Sequence, residues 1–132
     1  VLDFSTDDVS AALEPVRAYL SNPHRPPAVF ARTDALAMAV LAVAAEMGMR
    51  VPEELSVVGF NDLPESATTV PPLTTMASPR RALAHTALDL LLSSVGRTDG
   101  FERRMLSCHL VIRGSTAPVG KPAPATVSAG IE

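Results

Sequence analysis

The sequence predicts an α/β fold in which a parallel sheet is flanked by helices. Strand-like segments alternate with segments of helical periodicity, in the order strand, helix, strand, helix, strand. The run Ser56 to Phe60 is a continuous stretch rich in β-branched valine, which is typical of a central parallel strand. The 132 residues are 47% apolar, enough for one domain-sized core and too few for two.

Composition narrows the possible functions. The formal charge is -3 and the isoelectric point is about 5.6, and the basic residues are scattered, so this stretch is not expected to bind DNA by itself. The single cysteine, Cys108, cannot form an internal disulfide, which fits a reducing cytoplasm. No apolar run reaches the ~18 residues of a membrane span, and Val1 already lies in apolar sequence. We therefore expect a soluble cytoplasmic protein without membrane contact, whose true N-terminus lies upstream.

The chain opens with a predicted strand and helix. Val1 to Phe4 is a short strand candidate, and Ser5 followed by Asp8 forms a capping box for a helix to about Leu20. Pro15 lies inside this helix, where it removes a hydrogen bond and crowds the preceding turn, so we expect a kink or a break there.

A second helix is predicted after a second strand. Residues 28–31 indicate a buried strand, and Thr33 or Asp34 caps the helix that follows. The helix ends at Gly48, because glycine readily adopts the left-handed conformation of a helix stop.

This second helix is apolar on both faces. From Ala35 to Met47 the only charged residue is Glu46, so the helix should be buried on two sides. One side would lie on the sheet, and the other would meet a further helix or a second subunit. The small Ala39 and Ala42 permit close helix approach, and with Met38 they form a candidate dimer interface. The alternative is a helix buried entirely within its own domain.

Two polar residues directly follow the central strand. Asn61 and Asp62 come after Phe60, and ligands of open α/β sheets collect at the carboxyl ends of the strands. These side chains are therefore candidates for ligand contact. The alternative is an ordinary Asx turn, which the residues by themselves favour.

The last third predicts an extended connector, a helix and a final strand. Residues 71–75 are extended, and a Ser-Pro pair starts a helix over about 78–95 whose apolar residues recur at helical spacing. Met105 to Arg113 is the last predicted strand. From Gly114 onward the Pro, Ala, Ser and Gly content favours a disordered tail.

Four phrases in fixed order resemble the effector-domain signature of the lactose/galactose repressor (LacI/GalR) family. They are FARTDALA at 30–37, RVPEELSVVGFND at 50–62, PPLTT at 71–75 and RGST at 113–116. Asp3 and Phe4 match as well, ahead of the first helix. The resemblance covers residues 1 to about 118, and four ordered matches are far more specific than any single motif.

The resemblance implies one lobe of a periplasmic-binding-protein-like (type I) fold. Residues 1–117 would be the C-terminal part of the effector-binding domain, and 118–132 a disordered tail. Family members bind a small sugar-like or purine-like effector in a cleft, form homodimers and bind operator DNA through an upstream helix-turn-helix absent from this chain. The effector would shift a balance between two lobe arrangements. The return helix at 78–96 would pack on the missing first lobe, so its uncovered apolar stripe should drive association, swapping or disorder.

The resemblance also places effector contacts at Phe4, Thr33 and Asn61. Phe4 would offer a flat apolar wall to a ring, although a core role at a strand end is an equal alternative. Thr33 stands where the family has asparagine, and it keeps a hydroxyl. Asn61 stands where many members carry an acidic residue, and its amide can donate and accept. Asp34 matches the family's Asn-Asp pair and is favoured as a helix cap.

Catalysis is not expected. Cys108 and His109 are neighbours on a predicted strand, so their side chains point to opposite faces and cannot pair as nucleophile and base. His24 and His85 also lack ligand-like spacing, and Gly-rich phosphate loops are missing. We therefore expect no enzyme, no metal site and no cofactor.

Two other classes remain as alternatives. The corresponding lobe of a solute-binding protein of a transport system has a similar fold, and a secretory signal upstream of Val1 would support it. About 60 upstream residues with a helix-turn-helix pattern would support the regulator. A receiver-like signalling domain is a weaker option, because the expected acidic cluster is not evident.

Overall fold

The computed structural model describes residues 9–95 and 102–118. Within them the chain forms α1 (Val9–Leu20), β1 (Ala28–Phe30), α2 (Asp34–Glu46), β2 (Ser56–Phe60), a short 3₁₀ helix (Pro64–Ala67), β3 (Thr74–Ala77), α3 (Arg80–Ser94) and β4 (His109–Val111). The predicted strand at 1–4 and its capping box lie outside the described residues. None of the described helices is long and apolar enough to cross a membrane.

The strands form one sheet in the order β1-β2-β3-β4. β1 pairs with β2, and β2 with β3, in parallel, with Val29 opposite Val57 and Gly59 opposite Thr75. β4 runs antiparallel to β3. The predicted α/β class is confirmed, and the sheet is mainly parallel, with an antiparallel strand at one edge.

One face of the sheet carries the core. α2 packs on β2, and α1 packs on α2, so both helices lie on the same side. The opposite face bears apolar residues that the described chain leaves open, including Phe30 and Ile112, which are 63% and 74% exposed. The core is built from small and medium aliphatic residues: Ala12, Val16, Leu20, Ala31, Leu36, Ala37, Val40, Leu41, Val43, Ala44, Leu55, Val57 and Leu73.

β1 was predicted to be a buried strand, and this prediction was wrong. Ala28 and Phe30 are exposed and Val29 is half-buried. β1 lies at an edge of the described sheet, and only the face that carries Val29 packs against the helical core.

Pro15 does not break α1, which continues from Val9 to Leu20. A proline deprives the carbonyl four residues earlier of its hydrogen bond. That carbonyl belongs to Ala11, and Ala11 and Pro15 are both exposed, so water can satisfy the freed oxygen. The helix tolerates proline because the defect lies on its solvent side.

α2 is covered on two sides, as predicted, by β2 and by α1. Thr33 is its N-cap residue, with the hydroxyl accepting the Leu36 N–H at 3.3 Å. At the other end Gly48 adopts a φ of 69°, the left-handed conformation expected of a helix stop.

β3 begins within residues 71–75, which were predicted to be an extended connector. Thr74 and Thr75 are buried in it, between β2 and β4. Prolines at 71 and 72 and a run of threonines give no clear alternation of apolar and polar residues, and for that reason the strand was missed.

The prediction of a disordered tail beginning at Gly114 was wrong at its start. The Gly114 N–H donates to the Pro72 carbonyl at 2.9 Å, and Ser115 is fully buried. The Ser115 hydroxyl donates to the Val57 carbonyl at 2.6 Å and accepts the Thr74 N–H at 2.8 Å. This short segment therefore ties β2 to β3. Residues 119–132 lie outside the described residues.

Candidate functional site

Two of the predicted contact residues lie at the edge of the sheet where the parallel strands β1 and β2 end. β1 and β2 run parallel, and the Ala31 N–H extends their pairing by donating to the Val58 carbonyl at 2.8 Å. Thr33 follows the end of β1, and Asn61 directly follows the end of β2. The carboxyl ends of the two strands therefore bring these residues to the same edge, where open α/β sheets bind ligands.

Thr33 is half-buried and already has one structural role. Its Oγ1 accepts the Leu36 N–H, and a hydroxyl has two lone pairs and one hydrogen. The hydroxyl hydrogen and the second lone pair stay available, so Thr33 can cap α2 and contact a polar ligand at the same time.

Asn61 is half-buried and has an unusual backbone conformation. Its φ is 115°, and that of Asp62 is 54°, so two consecutive residues other than glycine lie in the left-handed region. Asparagine and aspartate tolerate this region better than most residues. The Asn61 N–H donates to the Met76 carbonyl of β3 at 2.9 Å, which holds the turn against the sheet.

Asp34 is fully buried and accepts three hydrogen bonds. Its Oδ2 accepts the Leu63 N–H and the Ser66 hydroxyl, both at 2.7 Å. Its Oδ1 accepts the Thr75 hydroxyl at 2.5 Å. Asp34 directly follows Thr33, so one carboxylate anchors both sides of the candidate site. The cap role that the sequence favoured for Asp34 belongs to Thr33 instead.

Gly59 makes this arrangement possible. A β-carbon built on Gly59 would lie 2.3 Å from Asp34 Oδ1 and 3.0 Å from Leu73 Cδ2. The start of α2 therefore rests directly on the backbone of β2. A larger residue at this position would fill the space that the Asp34 carboxylate occupies.

A second ionic group, Arg113, holds the turn from the other side. Its Nη2 donates to Asp62 Oδ1 at 2.7 Å, and its Nη1 donates to the Leu73 carbonyl at 2.8 Å. Arg113 lies in the RGST phrase that resembles the family signature, but the phrase by itself indicates no role for it. No local pattern could have supplied one, because Asp62 lies 51 residues earlier in the chain.

The remaining predicted site residues occupy different environments. Phe4 lies outside the described residues, so its contact stays a prediction. On α2, Ala39 is 4% exposed, Met38 is half-buried and Ala42 is exposed. The dimer interface stays a prediction too, and Met38 and Ala42 are the members that offer surface to a partner.

Cys108 and His109, rejected above as a catalytic pair, are both exposed. His109 pairs with Ala77 at the carboxyl end of β3, and β3 separates β4 from β2, the strand that Asn61 follows. Among the described residues, no group of three or more His, Cys, Asp or Glu side chains is placed to hold a metal ion.

Comparison with known proteins identifies the family. A model of the periplasmic binding protein-like domain matches residues 2–116. The chain is 38% identical over 115 residues to the HTH-type transcriptional repressor CytR of Escherichia coli (strain K12), a match that covers 86% of this chain and 33% of CytR. The chain thus spans about a third of the length of this curated relative.

Solved structures agree. A LacI family transcriptional regulator from Enterococcus faecium with bound ribose has a TM-score of 0.74 and 27% identity, covering 86% of this chain and 42% of that one. The dimeric Lac repressor with an 11-residue C-terminal deletion has a TM-score of 0.71 and 30% identity, covering 82% and 40%.

The family resemblance inferred from four short phrases is confirmed. The match extends over nearly the whole described chain, and the mainly parallel sheet has the fold of these regulators. The chain therefore belongs to the family of periplasmic-binding-protein-like domains that form the effector-binding part of LacI/GalR-type transcriptional regulators.

Proposed function

We propose that this chain is the effector-sensing lobe of a bacterial transcriptional regulator. It binds a sugar-like or purine-like molecule at the edge of the sheet formed by Thr33 and Asn61, and Phe4 supplies an apolar wall. Binding favours one of two lobe arrangements, and this changes operator binding by a helix-turn-helix upstream. The lobe itself is not catalytic, and the regulator acts in the cytoplasm, where the operator lies.

The observation that carries this proposal is the shared anchoring of Thr33 and Asn61. Asp34 follows Thr33 in sequence and accepts the Leu63 N–H two residues after Asn61. Polar residues whose backbone is held in place in advance lose less conformational freedom when a ligand binds. A hydroxyl and an amide offer donors and acceptors to a neutral polar ligand, and neither brings a charge.

A dimer is part of the proposal. The relative of known structure is described as the dimeric Lac repressor, and the exposed side of α2 around Met38 and Ala42 is apolar. The alternative of a lobe from a transport system is not favoured, because the curated relative is a repressor.

Calorimetric titration of the chain with D-ribose, lactose, adenine and adenosine tests effector binding. We expect at least one of the four to bind, and Asn61→Gly to weaken that binding about tenfold, the effect of losing a hydrogen bond in a desolvated site. Glycine is chosen because it accepts a φ of 115°, so the substitution removes the side chain without straining the backbone. Asn22→Ala, at the chain's other asparagine, is the control and should bind normally.

Two results would contradict the proposal. If none of the four compounds binds the wild-type chain, the proposal that this lobe holds such an effector at the edge formed by Thr33 and Asn61 is wrong. If Asn61→Gly and Asn22→Ala bind equally well, the site lies elsewhere. The coding sequence upstream of Val1 tests the regulatory half, since about 60 residues with a helix-turn-helix pattern are expected there and a secretory signal would argue for a transport role.

A further inference from the structure

The turn from Asn61 to Leu63 is anchored at three successive residues by three different parts of the fold. The Asn61 N–H donates to Met76 in β3 at 2.9 Å. The Asp62 carboxylate accepts the Arg113 guanidinium at 2.7 Å. The Leu63 N–H donates to Asp34 at the start of α2, also at 2.7 Å. Each anchor constrains a different point of the same short loop.

This loop needs external support because of its backbone conformation. Asn61 and Asp62 both have positive φ, and such conformations persist only where the surrounding structure holds them. The anchors at Asn61 and Leu63 fix the two ends of the turn. The middle residue, Asp62, is held through its side chain by Arg113 alone among the interactions described above.

Arg113 is itself rigidly placed. Its backbone N–H donates to Thr74 Oγ1 at 2.9 Å, and its Nη1 donates to the Leu73 carbonyl at 2.8 Å. The side chains of Arg113 and Asp62 are only 20% and 30% exposed, so their ion pair is screened by water less than a pair at an open surface. A guanidinium with both terminal nitrogens engaged has a defined position, from which it can hold Asp62 in one orientation.

We infer that Arg113 is a positioning residue for effector binding: by holding Asp62, it keeps Asn61 in the one conformation that presents its amide to the ligand. Arg113 itself need not touch the effector. The inference rests on the proposed role of Asn61, and it adds a residue from the far end of the described chain to that site.

Amide hydrogen exchange in the ligand-free chain tests the first half of the inference. Arg113→Gln should speed exchange of the Asn61 and Leu63 amides about tenfold or more, because local opening no longer has to break the ion pair. Amides of α2, such as those of Ala37 and Leu41, should be unchanged. Arg104→Gln, which removes the exposed ion pair to Glu102, is the matched control and should leave the turn unaffected.

Asp62→Asn provides a second route to the same test. Asparagine tolerates a φ of 54°, so this variant removes the charge without disturbing the backbone. It should speed turn exchange as Arg113→Gln does, and the double variant should be no faster than either single one. Arg113→Lys keeps the charge and should restore part of the protection. Unchanged turn exchange in Arg113→Gln, or a rise shared equally with α2, would overturn the inference.

Effector binding tests the second half. For a compound that binds in the titration above, Arg113→Gln should weaken binding about tenfold in the wild-type background and less than about twofold in the Asn61→Gly background. Equal weakening in both backgrounds would show that Arg113 does not act through Asn61, which overturns the inference. A chain that binds none of the compounds refutes the proposed function. The exchange experiment needs no effector, so it still decides in that case whether Arg113 holds the turn.

Discussion

The carboxylate of Asp34 lies against the backbone of Gly59, so close that a β-carbon on Gly59 would be 2.3 Å from Asp34 Oδ1. The two residues belong to α2 and β2, and their contact sets the distance between the helix and the sheet at the candidate site. From this position Asp34 reaches Leu63, Ser66 and Thr75. Helix, sheet and turn thus meet at one buried carboxylate.

Gly59→Ala should destabilise the chain by about 1–3 kcal/mol, the usual cost of overpacking a close contact. The Asp34 carboxylate cannot swing away cheaply, because doing so would break three hydrogen bonds. The free energy of unfolding from urea titration measures the loss.

Gly48→Ala is the contrasting variant for this test. Nothing lies within 4 Å of a β-carbon at Gly48, whose φ is 69°, so its cost of about 1 kcal/mol comes from the backbone conformation alone. In an Asp34→Ala background the cost of Gly59→Ala should shrink while that of Gly48→Ala should not. An undiminished cost for Gly59→Ala would show that the clash with Asp34 is not the cause.

Asp34→Asn should cost about 3 kcal/mol of unfolding free energy. The amide keeps one acceptor oxygen but turns an NH2 group toward donors, so at least one buried donor loses its partner. Asp89→Asn, at an exposed carboxylate on α3, should change stability by less than about 0.5 kcal/mol. Similar small effects from both substitutions would contradict the central role given to Asp34.

Glu54 should titrate below its ordinary pKa of 4.5. Its carboxylate accepts the backbone N–H of Arg50 at 2.9 Å and the Arg50 Nε at 3.1 Å, and both hydrogen bonds favour the charged form and lower the pKa of Glu54. Because the folded pKa lies below the unfolded one, the stabilisation is present above the unfolded pKa and is lost as pH falls through the folded pKa.

An NMR titration of the Glu54 carboxyl carbon checks this shift. Arg50→Gln removes the side-chain hydrogen bond but keeps the backbone one, which is the larger cause, so the pKa of Glu54 should rise only part of the way to its ordinary value. A wild-type midpoint at 4.5, or a complete return in Arg50→Gln, would contradict the assignment.

The described chain should associate through α3. None of its residues is buried, and Leu83, Leu88 and Leu91 are 52% to 63% exposed, which is unusual for one helix of a monomer. Sedimentation velocity should show species that dissociate on dilution. Replacing Leu88 and Leu91 with Gln should reduce association, whereas Arg81→Gln on the same helix should not. A wild-type chain that stays monomeric at high concentration, with α3 ordered, would refute this.

Local signals predicted most of the helical framework. The Gly48 stop and the β-branched run of β2 depend on only a few neighbouring residues, and each appears in the structure where the sequence placed it. The cap of α2 was predicted at Thr33 or Asp34, and the structure assigns it to Thr33. The four phrases that indicated the family are equally local. β3 was missed because its strand character depends on neighbours on both sides, not on its own pattern.

The sequence by itself thus determined the fold class, the helices α1, α2 and α3, and the positions of Thr33 and Asn61 after β1 and β2. Only the tertiary structure decided that Asp34 and Arg113 hold the loop next to Asn61. Their partners, Leu63 and Asp62, lie 29 and 51 residues away along the chain. Hydrogen bonds and ion pairs depend on distance in space, and the folded sheet, rather than any spacing in the sequence, sets that distance.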